Sequence, residues 1–330
     1  MSNQITINWN LSIDEVNEIS VIDFVEENDD LIRDRYNNFI DDLGYKNLGN
    51  KNFYKHFKIH NGYNLWWMSL IFEKSNYKSE GPNNSIKLIA IEEIIKRNKP
   101  FEIYFICEDT KIIKAVKILC TNLNINLSII RTKKKLDISF KRLVPYILIV
   151  LMYSVKFYAQ RRPFKNIKKI RLLDEKYDVI FFSYLNGLLK KNEKVEIDYS
   201  SQFGNLPKLL KEFGFKSYWI SHFVPNYKNY NPKNVSEIVN QSNINENNDF
   251  HDLLDSFLNL KIIIQSIKIY LDIYFKFLFK KRIKDLFVVE NSALSLWPVL
   301  KEDLNKSVFG VVSFINIIYS LLIDRFLSSI

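Results

Sequence analysis

Glycine and proline are scarce in this chain, at eight each in 330 residues, and there are only two cysteines and four histidines. So little glycine excludes collagen-like and linker architectures and removes most routes to a glycine-rich phosphate loop. Neither GxGxxG, nor a Walker A motif, nor GxSxG occurs. Cys107 and Cys120 cannot build a disulfide framework, and both lie in apolar stretches that read as buried, reduced thiols. The N-terminal MSNQITINWN has neither a basic nor an apolar segment of the secretory kind. What the chain has is apolar and aromatic material, 47% and 15% of residues, enough for a sizeable core.

The net charge of +10 is unevenly placed. Between Arg131 and Arg171 stand thirteen Lys and Arg against one Asp, whereas the first sixty residues are acidic on balance. Such a cluster suits a polyanion or an anionic lipid surface. Its middle is LVPYILIVLMYSVKFY, residues 143–158, whose uncharged core of thirteen residues runs from Leu143 to Val155. As a helix that core covers ~20 Å, short of the ~30 Å of a bilayer interior. An interfacial helix therefore fits better than a span, with Lys133, Lys134, Lys135, Arg161 and Arg162 as membrane-surface residues. A buried core helix with solvated basic ends is the alternative. The segment 307–323 is a second uncharged run, read as a buried helix. The basic segment has few aromatics at base-stacking spacing and an apolar run through its middle, so no nucleic-acid partner is expected.

Periodicity elsewhere alternates between strand and helix. Short β-branched runs at 5–9 and 19–24 are strand candidates, and 30–43 and 85–98 are amphipathic helices. Strand 101–106, helix 110–122 and strand 124–130 form a βαβ pattern with adjacent parallel strands. Strands are expected at 177–185, 216–224 and 287–292, a helix at 206–213 and a surface excursion at 225–248. The fold class is α/β with a mainly parallel, Rossmann-like sheet and additional amphipathic helices. The expected regions are an α/β region 1–130, a basic helical insert 131–171, a continuation of the same lobe 172–300 with a helical excursion, and an apolar helix 301–330.

Two blocks carry candidate chemistry. In HNGYNLWWMSLIFEKSNYKSEGPNNSIKLIAIEEI, residues 60–94, Trp66 and Trp67 offer flat faces for sugar rings. Glu73 offers a carboxylate for general-base work and Lys74 a cation for phosphate. The same residues also fit core packing and a local Glu73–Lys74 ion pair. In IDYSSQFGNLPKLLKEFGFKSYWISHFVP, residues 197–225, Ser200 and Gln202 precede a helix. His222 ends a strand, where open α/β sheets place ligands. A hydrogen-bonded structural histidine is the plain alternative. His56 and His60 stand four apart with no third ligand nearby, so no metal site is expected. No cofactor is identified from these motifs.

Three blocks together, NLWWMSLIFEKSNYKS with IKLIAIEEI, SSQFGNLPKLLKEFGFKSYWISHFVP, and LWPVLKEDLNKSVFGVVSFINIIYSLLIDRF, resemble a family of bacterial transferases of surface-carbohydrate biosynthesis, from O-antigen and capsule loci. The resemblance runs in order over nearly the whole chain, with Phe203 at an aromatic position. It implies one lobe of a GT-B-type glycosyltransferase, moving a sugar from an activated donor to a lipid-linked or glycan acceptor at the cytoplasmic face of the inner membrane. It further implies that the chain corresponds to the N-terminal portion of longer relatives, with a nucleotide-sugar donor held by a second lobe. A non-catalytic acceptor-binding lobe of the same pathway is the rival expectation.

Overall fold

The computed structural model describes residues 4–10, 18–60, 62–130, 145–167, 177–185, 188–191, 194–197, 199–224, 231–245, 249–278 and 282–329. The strands of the parallel sheets, in chain order, are β1 Gln4–Asn8, β2 Glu18–Ser20, β3 Glu102–Ile106, β4 Asn126–Ile130, β5 Val179–Tyr184, β6 Ser217–His222 and β7 Asp249–Leu253. The main helices are α1 Val21–Glu27, α2 Asp29–Tyr45, α3 Gly81–Asn98, α4 Thr110–Asn122, α5 Tyr146–Arg161, α6 Leu206–Glu212, α7 Pro232–Asn245, α8 Leu260–Leu278, α9 Trp297–Phe309 and α10 Val311–Leu327. They fall into two compact units, Met1–Tyr146 with Tyr270–Ser313, and Ile147–Ile269 with Phe314–Ile330.

The first unit holds a parallel sheet in the order β2-β1-β3-β4. The expected βαβ unit is present, with Ile103 opposite Leu127 in register. Alternation in β3 buries Ile103 and Phe105 while their neighbours stay partly exposed. Asp109 starts α4 as its N-cap, its carboxylate accepting from the amides of Lys111 (2.6 Å) and Ile112 (3.4 Å). The apolar stripe of α4, Ile112, Ala115, Val116 and Leu119, is then fully buried.

The second unit holds its own parallel sheet, in the order β7-β6-β5. The expectation of one continuous lobe, with 172–300 extending the first sheet, is therefore corrected. Each unit closes its own sheet, and the boundaries at 146, 269 and 313 cut across the regions drawn from composition. In β6 the residues Ser217–Ser221 are all buried. A continuous buried run of this kind marks the central strand of a sheet covered on both faces.

Three local expectations change for identifiable reasons, and the expected excursion gains a defined helix. The strand at 19–24 stops at Ser20, because the Ser20 hydroxyl accepts from the Asp23 amide at 3.1 Å and starts α1. The excursion at 225–248 contains α7, capped by Asn231, whose side chain accepts from Lys233 N at 3.0 Å with Pro232 in the first turn. The strand at 287–292 is instead a turn on itself. Asn291 takes a φ of 52°, and Val289 N donates to Leu294 O at 2.9 Å, so its backbone groups never reach a sheet. The apolar run 307–323 is broken at Gly310, which ends α9 with its amide donating to Lys306 O at 3.1 Å. No single helix among the described residues is long and apolar enough to cross a membrane, although the bent pair α9 and α10 passes together by length and composition.

Candidate functional site

The residues singled out from sequence are divided between the two units, Trp66, Trp67, Glu73 and Lys74 in the first and Ser200, Gln202 and His222 in the second. In the first unit Trp66 is only 1% exposed. Its ring packs among Phe53 (5.4 Å), Phe57 (5.6 Å) and Phe72 (6.2 Å), with Gly44 lying close enough that an added Cβ would stand 3.0 Å from its Nε1. A sugar cannot reach that face, so the platform role of Trp66 is corrected to core packing. Trp67 is 46% exposed and rests edge-on against Phe72 at 4.6 Å, with Tyr54 tilted beside it at 6.1 Å. Glu73 pairs with Lys78, not with Lys74. Lys74 adopts a φ of 55° at the end of the turn Leu70–Glu73 and donates to Asn37 Oδ1 at 3.0 Å.

In the second unit the helix expected at 206–213 is present as α6, and the Ser-Gln block before it forms a separate single turn, Ser200–Phe203, followed by Gly204 at φ +57°. One turn aligns too few peptides to act as an anion site. The Gln202 carboxamide is already engaged. Its Nε2 donates to Tyr184 O at 2.8 Å and its Oε1 accepts from Tyr184 N at 3.4 Å, so it continues the hydrogen bonding of β5. The substrate-binding role of Gln202 is thereby replaced by a structural one. Of Ser200 only the backbone is described.

His222 stands where expected, at the C-terminal end of β6, and its surroundings define the site. Its side chain is 27% exposed, while its Nδ1 is buried, has no hydrogen-bond partner and lies 3.8 Å from Asp255 Oδ2. Tyr319 packs edge-on against the imidazole with ring centroids 4.2 Å apart, and Tyr184 approaches at 5.5 Å. Asp255 follows β7 and is the hub. Its Oδ1 accepts from Arg161 Nε at 2.5 Å and from Tyr319 OH at 3.0 Å, and its Oδ2 accepts from Phe223 N at 3.1 Å. The Arg161 guanidinium also stacks 3.6 Å over the Phe157 ring and reaches Tyr319 OH at 3.4 Å. Arg161 is thus buried against a carboxylate, and its assignment to the membrane surface is overturned. Arg162, the next residue, is exposed. Lys133, Lys134 and Lys135 lie outside the described residues.

The electrostatics follow from this arrangement. Burial lowers the His222 pKa, Asp255 partly restores it and Arg161 lowers it again, for a net fall below the ordinary histidine range. The imidazole is therefore neutral near pH 7. Burial and the Asp255 charge raise Tyr319 well above the usual phenol range, so it stays a hydrogen-bond donor. Arg161 loses hydration on burial, yet Asp255 and the Tyr319 contact hold its pKa above the ordinary arginine value. A neutral imidazole with one nitrogen facing a buried carboxylate and part of its ring open to solvent can accept a proton from a hydroxyl.

Behind this edge lies a second polar chain. Ser183 Oγ meets Ser221 Oγ at 2.9 Å, and Tyr199 OH meets Ser221 Oγ at 2.7 Å and His251 Nδ1 at 3.5 Å. Tyr199 and Phe181 stack on Trp219 at 4.3 and 4.2 Å. The hydroxyl groups are buried and mutually satisfied, and this chain supports the sheet. His56 Nε2 contacts Leu48 O at 2.9 Å, and no group of metal-ligating side chains occurs among the described residues.

Sequence reasoning missed Asp255 and Tyr319 and placed Arg161 on the wrong side of its helix. The signal for Arg161 was present in its spacing. Val150, Ser154, Phe157 and Arg161 recur at i, i+4, i+7 and i+11, one helical face, and all four are buried. No protein-family model, curated protein or solved structure matches this chain.

Proposed function

We propose that this protein transfers a sugar from a nucleotide-activated donor to a lipid-linked or glycan acceptor in surface-polysaccharide assembly, at the cytoplasmic face of the inner membrane. The observation that carries the reading is His222. It is a neutral imidazole at the C-terminal edge of a parallel sheet, with its buried Nδ1 facing Asp255 and a ring edge open to an incoming group. In this reading Nδ1 holds the proton toward Asp255, and Nε2 takes the proton of the acceptor hydroxyl as that oxygen attacks the anomeric carbon. The donor's diphosphate leaves with the bonding electrons. Two parallel-sheet units in one chain support a GT-B-type organisation with the His222 unit as one of its lobes. Trp67, with Tyr54 beside it, remains an exposed aromatic face in the first unit for a sugar ring.

Sugar transfer by the full chain, assayed with a panel of nucleoside-diphosphate sugars and a polyprenyl-diphosphate-linked acceptor, tests the proposal. His222→Gln should lower kcat by ~10²–10⁴ with the fold retained, the typical worth of a general base. Full turnover in that variant would refute the role. A non-catalytic acceptor-binding protein of the same pathway is the second reading. It is favoured by the absence of glycine from the β3–α4 turn, Cys107–Asp109, where close approach of a donor phosphate to the backbone would call for one. Acceptor binding without transfer from any donor would support that reading.

A further inference from the structure

Helix α5 exposes the side that a water-soluble helix normally makes polar. Leu148, Leu151, Met152 and Val155 are all exposed, Met152 at 74% and Val155 at 70%. Their spacing, i, i+3, i+4 and i+7, makes them one continuous stripe, and exposed Ala159 extends it. The opposite face is the buried one that carries Val150, Ser154, Phe157 and Arg161. The outward face is therefore a contiguous apolar surface on an otherwise well-packed helix.

Its charge surroundings are one-sided. From residue 145 to 167 the chain contains no Asp or Glu, and Lys156, Arg162 and Lys165 are exposed at the flank and C-terminal end of the stripe. No acidic side chain among the described residues pairs with any of these three. Lys165 lies 5.1 Å over the Tyr158 ring with its amine 2.9 Å from the phenol oxygen, a cation carried at the tip of an aromatic. A second copy of the chain seated here would bring cations against cations, which argues against self-association. An apolar stripe whose own segment, 145–167, carries cations and no acidic residue matches a bilayer interface, with acyl chains beneath and anionic headgroups around.

We propose that the outer face of α5 seats the protein on an anionic lipid surface, with Leu148, Leu151, Met152 and Val155 inserted and Lys156, Arg162 and Lys165 at the headgroups. This replaces Arg161 as a surface contact, because Arg161 is committed to Asp255. One helix then serves two purposes. Its outer face meets lipid, and its inner face, ~9 Å further along the axis from Val155, holds the Asp255 hub beside His222. Resting on the proposed transfer reaction, the acceptor is an amphiphile whose anionic head leaves the bilayer close to where His222 is held.

Co-sedimentation of the full chain with vesicles, without any sugar donor, tests the seating independently of activity. The wild type should bind phosphatidylcholine vesicles containing phosphatidylglycerol, bind pure phosphatidylcholine far less, and release as salt rises. The double change Met152→Glu with Val155→Glu should lower partitioning at least ~10-fold, and Arg162→Ala ~5-fold, as expected for one interfacial cation. The polar pair Met152→Ser with Val155→Ser should also lose binding while its melting temperature matches the wild type, separating seating from folding. Equal binding by the wild type and the Glu variant would overturn the proposal, as would no binding by the wild type. A wild-type dimer in light scattering that the Glu variant disperses would assign the stripe to a second copy and likewise overturn it. Loss of transfer in His222→Gln with vesicle binding intact keeps a failure of the transfer reading distinct from a failure of this one.

Discussion

Asp255→Ala should be among the most damaging single substitutions in the second unit. The Asp255 carboxylate is buried and accepts from Arg161 Nε at 2.5 Å, Tyr319 OH at 3.0 Å and Phe223 N at 3.1 Å. Its removal strands a guanidinium that is itself buried, and breaking one side of such a pair typically costs ~3–5 kcal/mol. The orphaned hydroxyl and amide are part of the same loss and are not counted again. Against a total stability of ~5–15 kcal/mol this is a large fraction, equivalent to a fall in Tm on the order of 10–20 °C. Arg161→Met should cost a similar amount by leaving the carboxylate unpaired. The double variant Arg161→Met with Asp255→Leu removes both charges and should be more stable than either single one. Thermal and urea unfolding followed by circular dichroism give all three values. Single variants within ~1 kcal/mol of wild type, or a double variant showing the sum of both losses, would refute the buried pair as described.

Three further outcomes are expected. The His222 pKa is depressed in the folded protein, so below about pH 6.5 the unfolded chain takes up a proton that the native site resists. Stability should therefore fall as pH drops below that value and level off once the native imidazole protonates, and His222→Gln should remove that part of the slope in urea titrations. Gly310→Ala would place a Cβ 2.5 Å from Lys306 O, and the forced shift should lower stability by ~1–3 kcal/mol, readable in the same unfolding curves. Burial pushes both the Cys107 and Cys120 thiols up to about 11, so neither should react with a thiol reagent at pH 8 in the native state, and both should react in urea.

The legible parts of the fold were those whose information is local. The βαβ unit 101–130 could be read because β3 and β4 are short apolar runs and Asp109 stands where a cap must stand. His222 could be placed at a sheet edge because 216–224 is a short aromatic and β-branched run bounded by Gly214 and Pro225. The hub could not, since Asp255 and Arg161 are 94 residues apart and Tyr319 a further 64 beyond Asp255. No window along the chain contains such a pairing. Adjacent Arg161 and Arg162 looked equivalent as a basic pair, although the helical repeat sends one inward and the other into solvent. Trp66 and Trp67 divide in the same way, one into the aromatic core around Phe53 and one to the surface.

The interleaving of the two units has a consequence for how the chain is made. Helix α9, which packs on α3 and α4, completes the covering of the first unit, but it lies about 150 residues after the point where the chain leaves that unit at Tyr146. At ribosomal rates of ~5–20 residues per second the apolar surfaces of α3 and α4 await their partner for ~8–30 s while the whole of 147–269 emerges. The nascent first unit therefore carries sticky, half-finished surfaces through most of its own synthesis. Holding a chaperone, or shielding those surfaces with non-native contacts, becomes part of the cost of an order in which the last helices close what the first strands began.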